Sequence, residues 1–135
     1  MATTSKQNYF YALGRRKSAT ARVRLTSGKG DIVINGKPAE NYLENSKYLL
    51  NALQRPFTVL EIENKFNVSA KVSGGGSSGQ VDAIRLGIAK ALALMNEDLR
   101  STLRRADQLS RNPREKERKK FGLKGARKQR QFTKR

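Results

Sequence analysis

Cysteine, histidine and tryptophan are missing altogether from these 135 residues, and acids are scarce, 11 against 29 lysines and arginines. Without Cys or His there can be no zinc knuckle, no thiol nucleophile and no Ser-His-Asp triad. The lack of thiols also leaves the compartment without a redox signature. No apolar run approaches the roughly 18 residues that span a bilayer. The opening MATTSKQNYF has neither the apolar stretch of a signal peptide nor the arginines of a transit peptide. The chain as written is therefore expected to be where it works already, or to have been processed. The shortage of acids leaves a formal net charge of +18. Such a balance calls for an acidic partner, whether RNA, DNA or an anionic membrane surface.

The excess charge is unevenly spread. Residues 1–106 carry 17 bases and 8 acids, whereas residues 107–135 carry 12 and 3. From Arg111 to Arg135 nearly every second residue is Lys or Arg, and no acid follows Glu117. The remaining apolar side chains there, Phe121, Leu123, Ala126 and Phe132, are too few to bury a core. A segment of this kind cannot offset its own ordering entropy, so alone it is expected to be disordered. It should order only against dense negative charge, and a nucleic-acid duplex carries one charge per roughly 1.7 Å of axis. The tail has no amphipathic apolar stripe, which argues against a membrane surface. The chain is thus divided into a globular domain, 1–106, and an extended basic tail, 107–135.

Within the domain the hydrophobic pattern alternates between two periods. Tyr9 to Leu13 reads as a strand closed by Gly14, and Ser18 to Leu25 as a second with Arg22 and Arg24 on its polar side. Gly14-Arg15-Arg16-Lys17 is then a short basic connection whose three adjacent cations repel one another unless an anion meets them. Asp31 to Ile34 is a third strand, followed by Asn35-Gly36, a strong type I′ turn signal. Pro38 keeps the following residues out of a central strand. Ser46 is placed to cap a helix over residues 47–54, with Leu49, Leu50 and Leu53 inward and Pro56 as its stop. Phe66, Val68, Ala70 and Val72 alternate with polar residues in a fourth strand. Val81, Ile84, Ile88, Leu92 and Met95 then recur at helical spacing, and Asn96 can cap a last helix that buries Leu99 and Leu103. The predicted fold is α+β: a two-layer sandwich of one mostly antiparallel sheet with helices on one face, plus the disordered basic C-terminal tail.

Between the fourth strand and the long helix lies Gly74-Gly75-Gly76-Ser77-Ser78-Gly79-Gln80. Its spacing fits the frame of both a dinucleotide fingerprint and a P-loop. A P-loop, however, needs Lys and Ser or Thr where Gln80 and Val81 stand. The acid of a dinucleotide site is also missing from a second parallel strand, since Glu97 and Asp98 open another helix. No cofactor, metal or small-molecule substrate is expected, and no catalytic set. A plain flexible turn is one reading of the loop. The favoured one is that backbone N–H groups around Gly75, Gly76, Gly79 and Gln80 donate to a phosphate of a nucleic-acid backbone.

Three stretches carry a family resemblance: GRRKSATARV (14–23), GGGSSGQVDAIRLGIAKAL (74–92) and the terminal ERKKFGLKGARK with QFTKR. In order and content they resemble the ninth protein of the small ribosomal subunit, in its bacterial or organellar form. Ser110-Arg111-Asn112 stands where that family usually has Thr-Arg-Asp, and Thr133 where it has Ser. The resemblance implies a non-enzymatic constituent of the ribosome, in a bacterial cytoplasm or in an organelle such as the chloroplast. It implies a domain seated on ribosomal RNA (rRNA) in the head of the small subunit, beside neighbouring head proteins. The tail would run toward the decoding region, with Lys134 and Arg135 reaching the tRNA in the peptidyl site. The rRNA-binding set is then Arg15, Arg16, Lys17, Arg22, Gly75, Gly76, Gly79 and Gln80 in the domain. In the tail it is Arg111, Arg118, Lys119, Lys120, Lys124, Arg127, Lys128 and Arg130. A free RNA chaperone would share this basic surface and be told apart by sedimenting away from ribosomes. A nucleotide-dependent enzyme would rest on the glycine loop alone.

Overall fold

A computed structural model describes residues 9–109. Its sheet has five strands in the order β1-β2-β5-β3-β4: β1 (Phe10–Arg16), β2 (Ala19–Ser27), β3 (Ile32–Ile34), β4 (Lys37–Pro38) and β5 (Phe66–Ser73). The helices are α1 (Ala39–Tyr42), α2 (Lys47–Val59), α3 (Gly76–Met95) and α4 (Asp98–Arg105). All strand pairs are antiparallel except β3 with β5, which is parallel. The α+β sandwich expected from the alternating periods is therefore the observed fold. Of the basic tail expected over 107–135, residues 107–109 are described, and the rest of that reading lies outside the described residues.

One side of the sheet is buried by alternation alone. Ala12, Ala19, Ala21, Val23, Leu25, Val68, Ala70 and Val72 all point to the helices and are at most 9% exposed. Many of these are small residues, and that lets α3 lie close. Its buried Val81, Ile84, Ile88 and Leu92 fill the layer, with Leu53 and Phe57 of α2 and Leu103 of α4 closing it from the side. At the crossing of α3 with the sheet edge there is no room for any side chain. A Cβ built on Gly14 would lie 1.7 Å from the carbonyl oxygen of Ala83, and one on Gly87 would lie 2.5 Å from Val23 Cγ2.

Four local expectations are corrected. Gly14 does not close the first strand. β1 runs on through Arg15 and Arg16, because a glycine in the middle of the strand is what allows α3 to touch it. The β1–β2 connection is therefore only Lys17 and Ser18, with Lys17 in the left-handed region at φ 54°. Pro56 does not stop α2, which continues to Val59. Continuing the helix buries Phe57, whose ring stacks on Phe66 at 6.4 Å, and burial of one such ring is worth about 1.5–3 kcal/mol against the proline penalty. Ser46 precedes α2 but makes no side-chain cap bond; its carbonyl accepts from Leu50 N–H instead. The Asn35-Gly36 turn has both φ values positive, 51° and 80°, as a type I′ hairpin needs. Asn96 Oδ1 accepts from the Asp98 N–H at 3.0 Å, holding the start of α4.

Gln108 is the one buried polar side chain among the described residues, at 3% exposure. Its Oε1 accepts from Arg85 Nη1 at 2.8 Å, and its Nε2 donates to the Ala106 carbonyl. Burial pulls the Arg85 guanidinium below its ordinary value, an effect opposed by nearby Asp82. The chain that leaves α4 is thereby pinned to α3 as far as Leu109, which packs on the core.

Candidate nucleic-acid interface

The same alternation that builds the core sends the cations to the other side of the sheet. Strand register arranges them in rows across β1, β2 and β5. Arg15, Thr20 and Ser73 form one row; Leu13, Arg22 and Lys71 the next; Tyr11, Arg24 and Ser69 the third. Arg15, Arg22, Arg24 and Lys71 are all exposed, and none of the three strands contains an acid. Arg22 and Lys71 are direct cross-strand partners. Like charges at that spacing, roughly 4.5–5.5 Å between Cβ atoms, oppose folding unless an anion lies across them. The Arg24 guanidinium sits over the Tyr9 ring, 5.0 Å from its centroid.

Arg16 is separated from this group. Its place in β1 turns it toward the helices, where its Nε donates to Asp82 Oδ2 of α3 at 3.3 Å. The three consecutive cations expected at one hairpin tip thus diverge: Arg15 faces the open sheet, Arg16 pairs with α3, and Lys17 alone occupies the turn. Arg24 and Lys71 join Arg15 and Arg22 instead. Each was visible in the sequence as the polar member of an alternating strand. That β2 and β5 are neighbours was not, because residues 28–65 intervene.

The glycine loop meets the turn. A Cβ on Gly74 would fall 2.9 Å from the Ser18 carbonyl oxygen and one on Gly75 2.6 Å from Ala19 Cβ, while Gly79 has Lys17 Cδ within 3.6 Å of that position. Gly74, Gly75 and Gly76 all have φ near +74°, a conformation that glycine adopts without strain. Gly76 faces open space, whereas Gly79 is buried against the turn. Gln80 pins the loop: its Nε2 donates to the Gly74 carbonyl at 3.1 Å, and its Oε1 accepts from Tyr42 Oη at 2.7 Å. The 20-residue α3 therefore begins beside Lys17, with no side-chain cap and no acid in its first turn. That is an electropositive helix start next to a lysine.

Acids gather elsewhere. Residues 31–64 hold five acids against three bases, and a cleft of about 450 Å³ between β3 and α2 is bordered by Asp31 and Glu40. Among the described residues, no group of His, Cys, Asp or Glu is placed to hold a metal ion, and no helix is long and apolar enough to cross a membrane.

An open sheet face with cations in register and no acid, backed by a packed helical layer, defines an α+β protein with one strongly basic face. Comparison with known proteins narrows the class. The sequence profile of the family described as ribosomal protein S9/S16 matches residues 14–135. The small ribosomal subunit protein uS9 of Gloeobacter violaceus is 49% identical over 126 residues, covering 93% of this chain and 95% of the relative. The uS9c proteins of Pyropia yezoensis and Mesostigma viride are 49% and 47% identical over 122 and 126 residues. Those alignments cover 90% and 93% of this chain, and 89% and 92% of the relatives. The chain belongs to the ribosomal protein S9/S16 family.

Proposed function

We propose that this chain is a structural constituent of the small ribosomal subunit that neutralises packed rRNA and touches peptidyl-site tRNA with its last residues. No bond is made or broken; the work is charge compensation and positioning. The observation that carries the rRNA reading is the acid-free outer face of β1, β2 and β5, with Arg15, Arg22, Arg24 and Lys71 in register. A second phosphate position is the start of α3, where the backbone N–H groups near Gly75 and Gly76 open a first turn that meets Lys17 at Gly79. Arg16, Gly79 and Gln80 serve that position by shaping it, since each is engaged with protein atoms. The ribosome of a bacterial cytoplasm or of a chloroplast is the place of action, with head proteins of the subunit as neighbours.

The tail supplies the finer part of the reading. Arg111, Arg118, Lys119, Lys120, Lys124, Arg127, Lys128 and Arg130 bind rRNA backbone. Arg135 grips a tRNA phosphate in bidentate fashion, and Lys134 acts as a point charge beside it. The test is deletion of Lys134 and Arg135 in a tagged chain. Gradient sedimentation should still place the protein with the small subunit, because ten other cations of residues 111–135 remain. Filter binding of tRNA to purified subunits should weaken by at most about 1.5–3 kcal/mol per charged hydrogen bond lost, and by less with solvent screening. Undiminished tRNA affinity would remove the terminal contact; failure of the full-length chain to sediment with subunits would remove the whole reading.

A further inference from the structure

We propose that Tyr11, with Tyr9 and Arg24 beside it, is a stacking platform for an unpaired nucleobase of single-stranded RNA. The inference rests on the reading of the outer sheet face as an RNA surface and adds to it the class of RNA preferred. Tyr9, Tyr11, Leu13 and Arg15 share that face, because Ala12 and Gly14 between them are buried toward α3. Tyr9 is 47% exposed and Tyr11 46%, among the largest apolar surfaces left open on the domain. Neither is needed by the core, which lies on the opposite side of the sheet. Register puts Tyr11 directly across from Arg24, and Arg24 is held over the Tyr9 ring at 5.0 Å. The result is two aromatic rings and one planar guanidinium gathered at one end of an open sheet.

One row further along the same face stand Arg22 and Lys71, and beyond them Arg15. Aromatic planes beside a track of cations suit a strand whose bases are splayed out while its phosphates lie on the charges. A duplex cannot use the rings, because its bases are stacked on one another and present only phosphates and groove edges. The aromatic end therefore distinguishes unpaired RNA from paired RNA, which a basic patch alone does not do.

The experiment uses the full chain and two probes with equal numbers of phosphates: an RNA hairpin with an adenine loop containing one 2-aminopurine, and a blunt duplex. Stacking should quench the 2-aminopurine fluorescence and favour the hairpin. Tyr11→Ala should weaken hairpin binding about tenfold, the worth of one base–aromatic stack. It should abolish the quench and leave both duplex binding and the salt dependence unchanged. Tyr11→Phe should behave as the unmodified chain, since the ring is retained. The proposal is overturned if Tyr11→Ala keeps the quench and the hairpin affinity, or if it weakens hairpin and duplex equally. Loss of the underlying RNA reading has a separate signature, an unchanged salt slope when Arg15, Arg22 and Lys71 are replaced together.

Discussion

Replacing Gly14 by alanine is the sharpest test of how the two layers meet. Considered as a chain without contacts, the change should help. Alanine loses less conformational freedom than glycine, a gain of about 0.4–1 kcal/mol. The structure reverses the sign. The new Cβ would lie 1.7 Å from the carbonyl oxygen of Ala83 and 2.8 Å from the amide nitrogen of Gly87, both backbone atoms of α3. No rotamer change relieves such a contact. Ordinary contact begins near 3.4 Å, so the helix must retreat by about 1.7 Å from the edge it covers, loosening Ile84 and Ile88 against the sheet. Overpacking typically costs about 1–3 kcal/mol, and a clash against backbone belongs at the upper end. In a domain whose whole stability is about 5–15 kcal/mol, a loss of about 3 kcal/mol should move the thermal midpoint down by more than about 10 °C. Urea denaturation followed by circular dichroism measures it, with the midpoint falling at unchanged slope. A Gly14→Ala protein as stable as the original would refute the close approach of β1 and α3.

The other glycines are expected to respond differently. Gly79→Ala meets its neighbours at 3.5 Å or more, so the gain in helix propensity should leave stability equal or higher by up to about 1 kcal/mol. Gly76→Ala enters open space but at φ +73°, and should cost about 1 kcal/mol in the same urea assay. Equal responses at the two positions would contradict the loop geometry. Gln108→Ala removes the acceptor for Arg85 Nη1 and leaves a half-buried guanidinium short of a partner, at a cost of about 1–3 kcal/mol. Denaturation of that variant indistinguishable from the original would show the clamp to be dispensable.

What could be read from the sequence follows the periods of its hydrophobic pattern. Val23, Leu25, Val68 and Val72 alternate with polar residues, so their strands and the identity of the outer face were legible. Ile84, Ile88 and Leu92 gave α3 for the same reason. Less legible was anything decided by a contact between distant residues. Gly14 carries the same letter whether it turns the chain or admits a helix, and only Ala83 and Gly87 distinguish the two. Pro56 obeys local rules that favour a stop, until Phe57 finds Phe66. Arg15, Arg16 and Lys17 are adjacent in sequence, yet strand alternation sends two of them to opposite faces. Lys71 comes to face Arg22 only through the pairing of β5 with β2, a pairing that no local pattern announces.

The central claim is that the outer face of β1, β2 and β5 meets RNA phosphates, and its most direct measurement is the salt dependence of binding to the cognate rRNA fragment. Arg15, Arg22 and Lys71 replaced together by alanine should reduce the magnitude of the slope of log K against log salt by about 2 to 3. This assigns about 0.7–0.9 to each lost phosphate contact. Lys47→Ala, an exposed cation on α2 away from the sheet, should leave the slope unchanged. A triple variant with the slope of the original chain, or a Lys47→Ala variant that loses as much per charge, would contradict the assignment of this face to RNA.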